Sequence, residues 1–397
     1  MQLRSCDEDI DAVSKLVPRV ESSGSLQDIE FLSKGMFGHV RKVTVKAGLL
    51  SPIQDDSQDS GNHRDGDQRR PLVFASKHIN LRSKDPVDAA SQLANEARIL
   101  SHLDHENIIK LRAVCSGSFS ASFDNNPRGY FLLFDVLDVT LQTRLVRWRN
   151  EKRKNPSLCS SFCKKISKRL SLLSPRIKLV ERCQRCKEMN TRAQDASVMG
   201  IARGLEYLHS KQILWRDLKP ANIGYYRNNI MGGKNLWTVK LIDFGMARRV
   251  EDCIRGEFCG SLAYMAPETM RGQQSTSNAD VFALGVVLSE ICSLCIPYTK
   301  NRRKRNAMDY EKDWASFRTQ IQEEGLRPMD NLEKIICCPE TRHLIYKCWD
   351  HQKNRPSCTE IVARLDGILN PMQSNGSDNF CTKISRDLTA KMTEQDL

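Results

Sequence analysis

Asp217, Lys219 and Asn222 put a carboxylate, a cation and an amide within six residues, in the run Trp215-Arg216-Asp217-Leu218-Lys219-Pro220-Ala221-Asn222. Twenty-one residues past Asn222, Asp243-Phe244-Gly245 sets a second acid on a glycine turn, and Ala266-Pro267-Glu268 follows. An isolated Asp-Phe-Gly arises by chance. In this order and spacing the three segments constrain the chain far more than its composition does.

The surrounding pattern changes character part-way along. From Asp28 to Val45 an apolar run is broken by Gly35 and Gly38, which predicts two strands joined by a turn. Ala47 to Arg70 is rich in Asp, Ser, Gly, Gln and Asn and reads as a disordered loop. A strand resumes over Pro71 to Asn80, with Val73, Ala75 and Lys77 on one face, and Val87 to Leu103 has helical spacing and carries Glu96. Ile108 to Val114 and Tyr130 to Val136 read as further strands. After Leu141 helices dominate, and few βαβ alternations argue against a doubly wound sheet. The expected class is α+β, sheet-rich first and helical second. Residues 1–27 and 371–397 read as polar tails.

Transfer of a phosphoryl group needs phosphates held by donors and cations, Mg²⁺ held by acidic or amide oxygens, and a carboxylate on the attacking hydroxyl. Those residue types are all present, and the ordered set resembles the eukaryotic protein kinase signature over roughly residues 28–370. The resemblance implies a two-lobed fold, with a small antiparallel β-sheet lobe and hinge over 28–137 and a larger, mainly α-helical lobe over 138–370. It implies ATP and Mg²⁺ as cofactors and protein substrates as partners. Asp217 would accept the substrate hydroxyl proton, Asn222 and Asp243 would hold Mg²⁺, and Lys219 would neutralise the transferring phosphoryl group.

Lys34-Gly35-Met36-Phe37-Gly38-His39-Val40 resembles the glycine-rich loop, whose bare backbone lets amides approach phosphates, with Ser33 where the family usually has its first Gly. Ala75-Ser76-Lys77 supplies the strand lysine, and Glu96 falls where its ion-pair partner belongs. Phe134 resembles the gatekeeper, and the backbone of Asp135 to Leu137 would bind adenine. Arg355 is expected against Glu268, and Leu100, Leu111, Trp215 and Phe244 fall where the family stacks side chains to align its lobes. Lys219 follows the serine/threonine pattern. The segment Ser261 to Glu268, with the one opening at Asp280, most resembles the tyrosine-kinase-like group. A pseudokinase scaffold would need a missing lysine, base or metal ligand.

Two departures stand out against that family. Trp215 replaces the customary His or Tyr, and its indole either tightens the aligning stack or wedges it open. From Met246 to Gly260 there is no Ser, Thr or Tyr, whereas kinases with Arg before the catalytic Asp usually need a phosphate there to pair with that Arg. Glu257, three residues before Gly260, stands where the phosphorylatable residue commonly sits. One reading makes it a permanent negative partner for Arg216; the other makes it a solvated acid on a loop. Ser261 is read as helping to position the substrate.

Charge is concentrated. Between Arg147 and Arg192 fifteen Lys/Arg face three Asp/Glu, a balance of +12 in a chain whose total is +13. This basic stretch, about 149–191, reads as an insert. Three readings stay open for it: a structural zinc on Cys159, Cys163, Cys183 and Cys186, an anionic partner (nucleic acid, acidic lipid or an import receptor), or a solvated insertion. A nucleic-acid-associated protein acting through this insert is the rival from outside catalysis. A second basic cluster, five of six residues, runs from Lys300 to Arg305. The apolar run Val281 to Tyr298 is interrupted by Glu290 and reads as a buried helix rather than a transmembrane segment. An acidic N-terminus without an apolar core is no secretory signal, and fifteen scattered cysteines point to reduced thiols in cytoplasm or nucleus.

Overall fold

The computed structural model describes residues 12–20, 26–34, 38–45, 72–80, 85–115, 130–154, 198–228, 236–298, 314–322, 326–329, 332 and 338–369. The loop expected at 47–70, Gly35 and Phe37, the insert beyond Lys154, the Lys300–Arg305 cluster and the C-terminal tail lie outside them.

β1 (Arg19–Val20), β2 (Leu26–Lys34), β3 (Gly38–Val45), β4 (Leu72–Ile79), β5 (Leu111–Cys115) and β6 (Phe131–Phe134) form one sheet in the order β1-β5-β6-β4-β3-β2. β2 and β3 are the antiparallel pair anticipated around the glycine turn. Register then sets the site: Val40 lies opposite Lys77, Lys42 opposite Ala75, and Ala75 opposite Phe134. Directly opposed residues share a face of a sheet, so Val40, Ala75 and Lys77 share one with Phe134.

α1 (Pro86–Leu100) follows. Its start is specified locally: the Asp85 carboxylate accepts from Asp88 N at 2.9 Å, and Pro86 fills a first-turn position where no N–H is required. Ala89, Leu93, Ala97 and Leu100 are buried, but so are Asn95 and Glu96, two polar groups on the inner side of the helix.

The N-terminal stretch departs from the polar tail expected over 1–27. Residues 13–17 close a turn, and β1 pairs in parallel with β5, Arg19 opposite Val114 and Val20 opposite Cys115. Val13, Val17 and Val20 are buried there. Three valines and a two-residue strand are too short a pattern to stand out from a polar sequence.

The second part is built from α2 (Leu141–Lys154), α3 (Val198–Ser210), α4 (Pro267–Met270), α5 (Ser277–Ser293), α6 (Trp314–Gln322), α7 (Pro339–Cys348) and α8 (Cys358–Leu369). Short strands join them: β7 (Val139–Thr140), β8 (Ile213–Leu214), β9 (Ile223–Asn228), β10 (Leu236–Leu241) and β11 (Arg248–Arg249). α5 is buried from Asp280 to Ser293, the central core helix expected for the Val281 run. Among the described residues no helix is long and apolar enough to cross a membrane. Glu290 within α5 is paired with Arg149 of α2 and accepts from Tyr264 Oη at 2.8 Å.

That pairing also corrects the insert boundary. α2 runs on through Lys154, and its cations grip the end of α5: Arg149 Nε donates to Leu294 O and Lys152 Nζ to Ser293 O, each at 3.1 Å. Carbonyls at a helix C-terminus lack partners within the helix and attract cations, so these two residues dock α2 instead of belonging to a free basic surface. Sheet and helices together make the two-lobed α+β fold.

Candidate active site

Lys77 projects from β4 between two acids far apart in sequence. Its Nζ lies 2.5 Å from Glu96 Oε2 on α1 and 3.0 Å from Asp243 Oδ1. Burial works against the ammonium, but the adjacent Asp243 and Glu96 carboxylates outweigh it and hold the Lys77 pKa well above the ordinary lysine value. Burial likewise opposes ionisation of Asp243, and Lys77 overrides it, holding that carboxyl below its usual range. The Asp243 side chain remains 46% exposed, whereas Glu96 is buried and its second oxygen accepts from Phe244 N at 3.1 Å.

The second acid is held just as closely. Asp217 Oδ2 accepts from Lys219 Nζ at 2.6 Å and from Asn222 Nδ2 at 2.9 Å, and Oδ1 accepts from Ser261 Oγ at 3.0 Å. Lys219 Nζ also donates to Ser261 Oγ at 2.9 Å. A hydroxyl therefore already meets the carboxylate and the ammonium together, the geometry that deprotonation of an alcohol needs. Asn222 uses its amide nitrogen on Asp217, which leaves the amide oxygen for a cation.

Beneath the loop, Asp280 at the start of α5 accepts from Trp215 N at 3.0 Å, from Arg216 N at 2.8 Å, and contacts His209 Nε2 at 3.0 Å. Arg216 adopts φ +69°, a left-handed conformation that costs a non-glycine residue free energy, and those bonds hold it there. Trp215 is fully buried, stacks on Phe244 with ring centroids 5.9 Å apart, and donates from Nε1 to Asp243 O at 3.3 Å. The indole fills the stack without wedging it open. Leu100 and Leu111 are buried in the same core.

Arg355 meets Glu268 as a buried fork, Nη1 to Oε1 at 2.5 Å and Nη2 to Oε2 at 2.9 Å. Arg216 Nη2 lies 2.8 Å from Glu257 Oε2, and its Nε donates to Cys259 Sγ.

The remaining expected residues line the strands and the connection out of the sheet. Ser33 opposes Val40, Lys34 opposes His39, and Gly38 opposes Ile79. Asp135 follows β6, with its carboxylate gripped by Arg112, Nε to Oδ1 at 2.7 Å and Nη2 to Oδ2 at 3.0 Å. Leu137 packs so tightly on Gly224 that a Cβ there would fall 2.2 Å from Leu137 Cδ1.

Several positioning groups have no signature in one sequence. Asp280 was legible only as the opening of a family-like segment, and nothing in the sequence marked His209 or Arg112. Asn95 is the least conspicuous. Its Nδ2 lies 3.3, 3.1 and 2.9 Å from the carbonyls of Phe244, Gly245 and Ala247. The one hint available was a polar residue on the apolar side of a helix.

The protein kinase domain family model matches residues 65–365 of this chain. The chain belongs to the protein kinase family. It is 34% identical over 171 residues to a probable serine/threonine-protein kinase of Dictyostelium discoideum, covering 42% of this chain and 35% of the relative. It is 35% identical over 185 residues to stress-activated protein kinase alpha of the same organism, covering 44% of this chain and 26% of the relative. A putative serine/threonine-protein kinase/receptor of Acanthamoeba polyphaga mimivirus is 28% identical over 379 residues, 88% of this chain and 20% of that protein. The chain thus spans about a third or less of the length of these curated relatives.

Kinases of this family generally use ATP and Mg²⁺, and the donor set suits them. Among the described residues there is no group of three or more His, Cys, Asp or Glu side chains that would cage a metal. One open carboxylate and one amide oxygen match an ion that arrives with phosphate oxygens as its other ligands.

Proposed function

We propose that this chain is an ATP-dependent protein serine/threonine kinase. The observation that carries the reading is Lys77 Nζ at 2.5 Å from Glu96 and 3.0 Å from Asp243, three residues brought together from β4, α1 and the turn after β10. Such a lysine, charged and held from both sides, can grip phosphate oxygens without reorganising when they arrive.

In this reading Ser33, Lys34, Gly35, Phe37, Gly38 and Val40 cover the phosphates, while Ala75, Phe134, Asp135 and Leu137 receive adenine. Asn222 and Asp243 hold Mg²⁺. When bound, Mg²⁺-ATP supplies the phosphoryl group and neutralises the charge that develops on it. Asp217 Oδ1 takes the proton of the incoming Ser or Thr hydroxyl, in the place that Ser261 Oγ now fills at 3.0 Å. Lys219 offsets charge on the transferring group, and Ser261 keeps Lys219 and Asp217 in register. Residues 28–137 and 138–370 act as the two lobes, closing on nucleotide between them. The resemblance of Ser261–Glu268 supports placement in the tyrosine-kinase-like group.

The same reading includes regulation. Glu257 supplies the negative partner of Arg216, so the enzyme is active without phosphate on its activation segment. The 2.8 Å pair and the lack of Ser, Thr or Tyr from Met246 to Gly260 both support it.

Transfer of radiolabelled γ-phosphate from ATP to a general acceptor protein, compared between wild type and Asp217→Asn, tests the proposal. Transfer by wild type, lost in the variant while nucleotide still binds, is the expected result. Nucleotide binding with no transfer by wild type would favour a pseudokinase scaffold instead.

A further inference from the structure

The turn that carries Asp243 has little regular secondary structure to satisfy its main chain. Asp243 adopts φ +65°, a conformation that a non-glycine residue keeps only when its surroundings hold it. Part of that support is local, since Ala247 N donates to Phe244 O and Arg248 Nη1 reaches the carbonyls of Gly245 and Ala247; the rest comes from distant side chains. Trp215 Nε1 donates to the carbonyl of Asp243, Glu96 accepts from the amide of Phe244, and Asn95 Nδ2 reaches the carbonyls of Phe244, Gly245 and Ala247.

Asn95 is the unusual member. Two amide protons are shared among three carbonyls at 2.9 to 3.3 Å, on a residue only 8% exposed. Its orientation is fixed from the other side, because Arg98 Nη2 donates to Asn95 Oδ1 at 3.1 Å. Nitrogen toward the carbonyls and oxygen toward the guanidinium is the orientation that satisfies both neighbours. Asn95 also precedes Glu96 directly, so neighbouring residues on α1 hold the turn in complementary ways. One accepts from its amide and the other donates to its carbonyls.

We propose that Asn95 is a positioning residue that locks α1 to the Asp243 turn, so that Glu96, Lys77 and Asp243 are set in place as one unit. Outward movement of α1 strips Asn95 from all three carbonyls at once, leaving Phe244 O only the Ala247 amide and the carbonyls of Gly245 and Ala247 only Arg248 Nη1, and the turn cannot flip without losing the same bonds. The inference rests on the reading of Asp243 as a Mg²⁺ ligand, and extends it to what aims that carboxylate.

The test uses the full chain and two variants: Asn95→Leu, which keeps the bulk and removes the donor, and Asn95→Asp, which turns a carboxylate toward the same carbonyls. Hydrogen exchange of nucleotide-free, metal-free protein is read first. Exchange over residues 243–247 should quicken about ten-fold in Asn95→Leu, the size expected for one lost hydrogen bond, and more in Asn95→Asp, while α5 stays unchanged. ATP binding is then measured by calorimetry in EDTA and in Mg²⁺. Asn95→Leu should bind more weakly than wild type in EDTA, because Lys77 is set by the same unit, and should in addition lose about ten-fold of the tightening that Mg²⁺ brings.

Unchanged exchange over 243–247, or exchange that quickens evenly along the whole chain as for a general loss of stability, overturns the proposal. So does a variant that keeps the full Mg²⁺ effect. A wild type indifferent to Mg²⁺ overturns the metal reading of Asp243 and the positioning role with it; a responsive wild type with equally responsive variants sinks Asn95 alone.

Discussion

Arg216 Nη2 and Glu257 Oε2 lie 2.8 Å apart, with the arginine side chain 2% exposed and the glutamate 34%. A buried guanidinium needs a counter-charge, and breaking such a pair leaves an uncompensated cation beside the candidate base Asp217. One carboxylate carries less charge than a phosphate, but it is always present.

Glu257→Gln removes that counter-charge and should therefore slow phosphatase-treated enzyme about ten-fold, between the worth of an exposed ion pair and that of a buried one. Initial rates, with mass spectrometry to verify that no phosphate is attached, provide the check. Equal rates for the variant and wild type would show that Glu257 is only a solvated acid.

Trp215 makes a different kind of contribution, chiefly bulk. It is fully buried against Phe244, and its single polar atom has one long bond, 3.3 Å to Asp243 O. Trp215→Ala should cost about 3–5 kcal/mol of stability, as truncations of buried aromatics do. Trp215→Phe should recover most of that, since the ring stack survives. Urea unfolding of both variants measures the difference.

His209 gives the fold a pH dependence. Burial alone would lower its pKa, but hydrogen bonds to Asp280 and Cys358 raise it to about 10. A folded-state value above the ordinary 6.5 means that the folded protein holds the proton more tightly. This stabilisation is complete below the unfolded value and is lost as pH rises through about 10. Wild type should lose stability between those limits, and His209→Gln should show a shallower slope over the same range. Equal slopes in denaturant titrations at several pH values would remove His209 from the account.

The motifs that carry chemistry were readable because they are contiguous. Asp217, Lys219 and Asn222 sit within six residues, so their meeting needs little help from the rest of the fold. The Lys77–Glu96 pair, nineteen residues apart, needed the strand of one and the helix of the other to be recognised first. What stayed hidden acts across long separations without a local pattern. Asn95 reaches carbonyls about 150 residues on, and Arg149 crosses to Glu290. β1 was missed for a related reason: a two-residue strand has no periodicity to detect, only a sheet edge waiting for it.

Gly260 links the base, the arginine and the segment after them. It adopts φ +92°, and a Cβ built on it would fall 2.4 Å from the carbonyl oxygen of Arg216 and 3.7 Å from Asp217 Oδ1. Main-chain oxygen cannot swing aside as a flexible side chain does, so Gly260→Ala must displace either the catalytic loop or the activation segment. Ser261 is the next residue, and its hydroxyl bridges Asp217 and Lys219. The substitution should therefore break that bridge and the Arg216–Glu257 pair together. Activity should fall more than in Glu257→Gln or Ser261→Ala alone, whereas nucleotide affinity, which the proposed function assigns to Lys77 and Asp243, should change little. Parallel measurement of ATP affinity and transfer rate in the three variants decides it. A Gly260→Ala enzyme as fast as wild type would mean that the segment does not rest against Arg216 when the protein works.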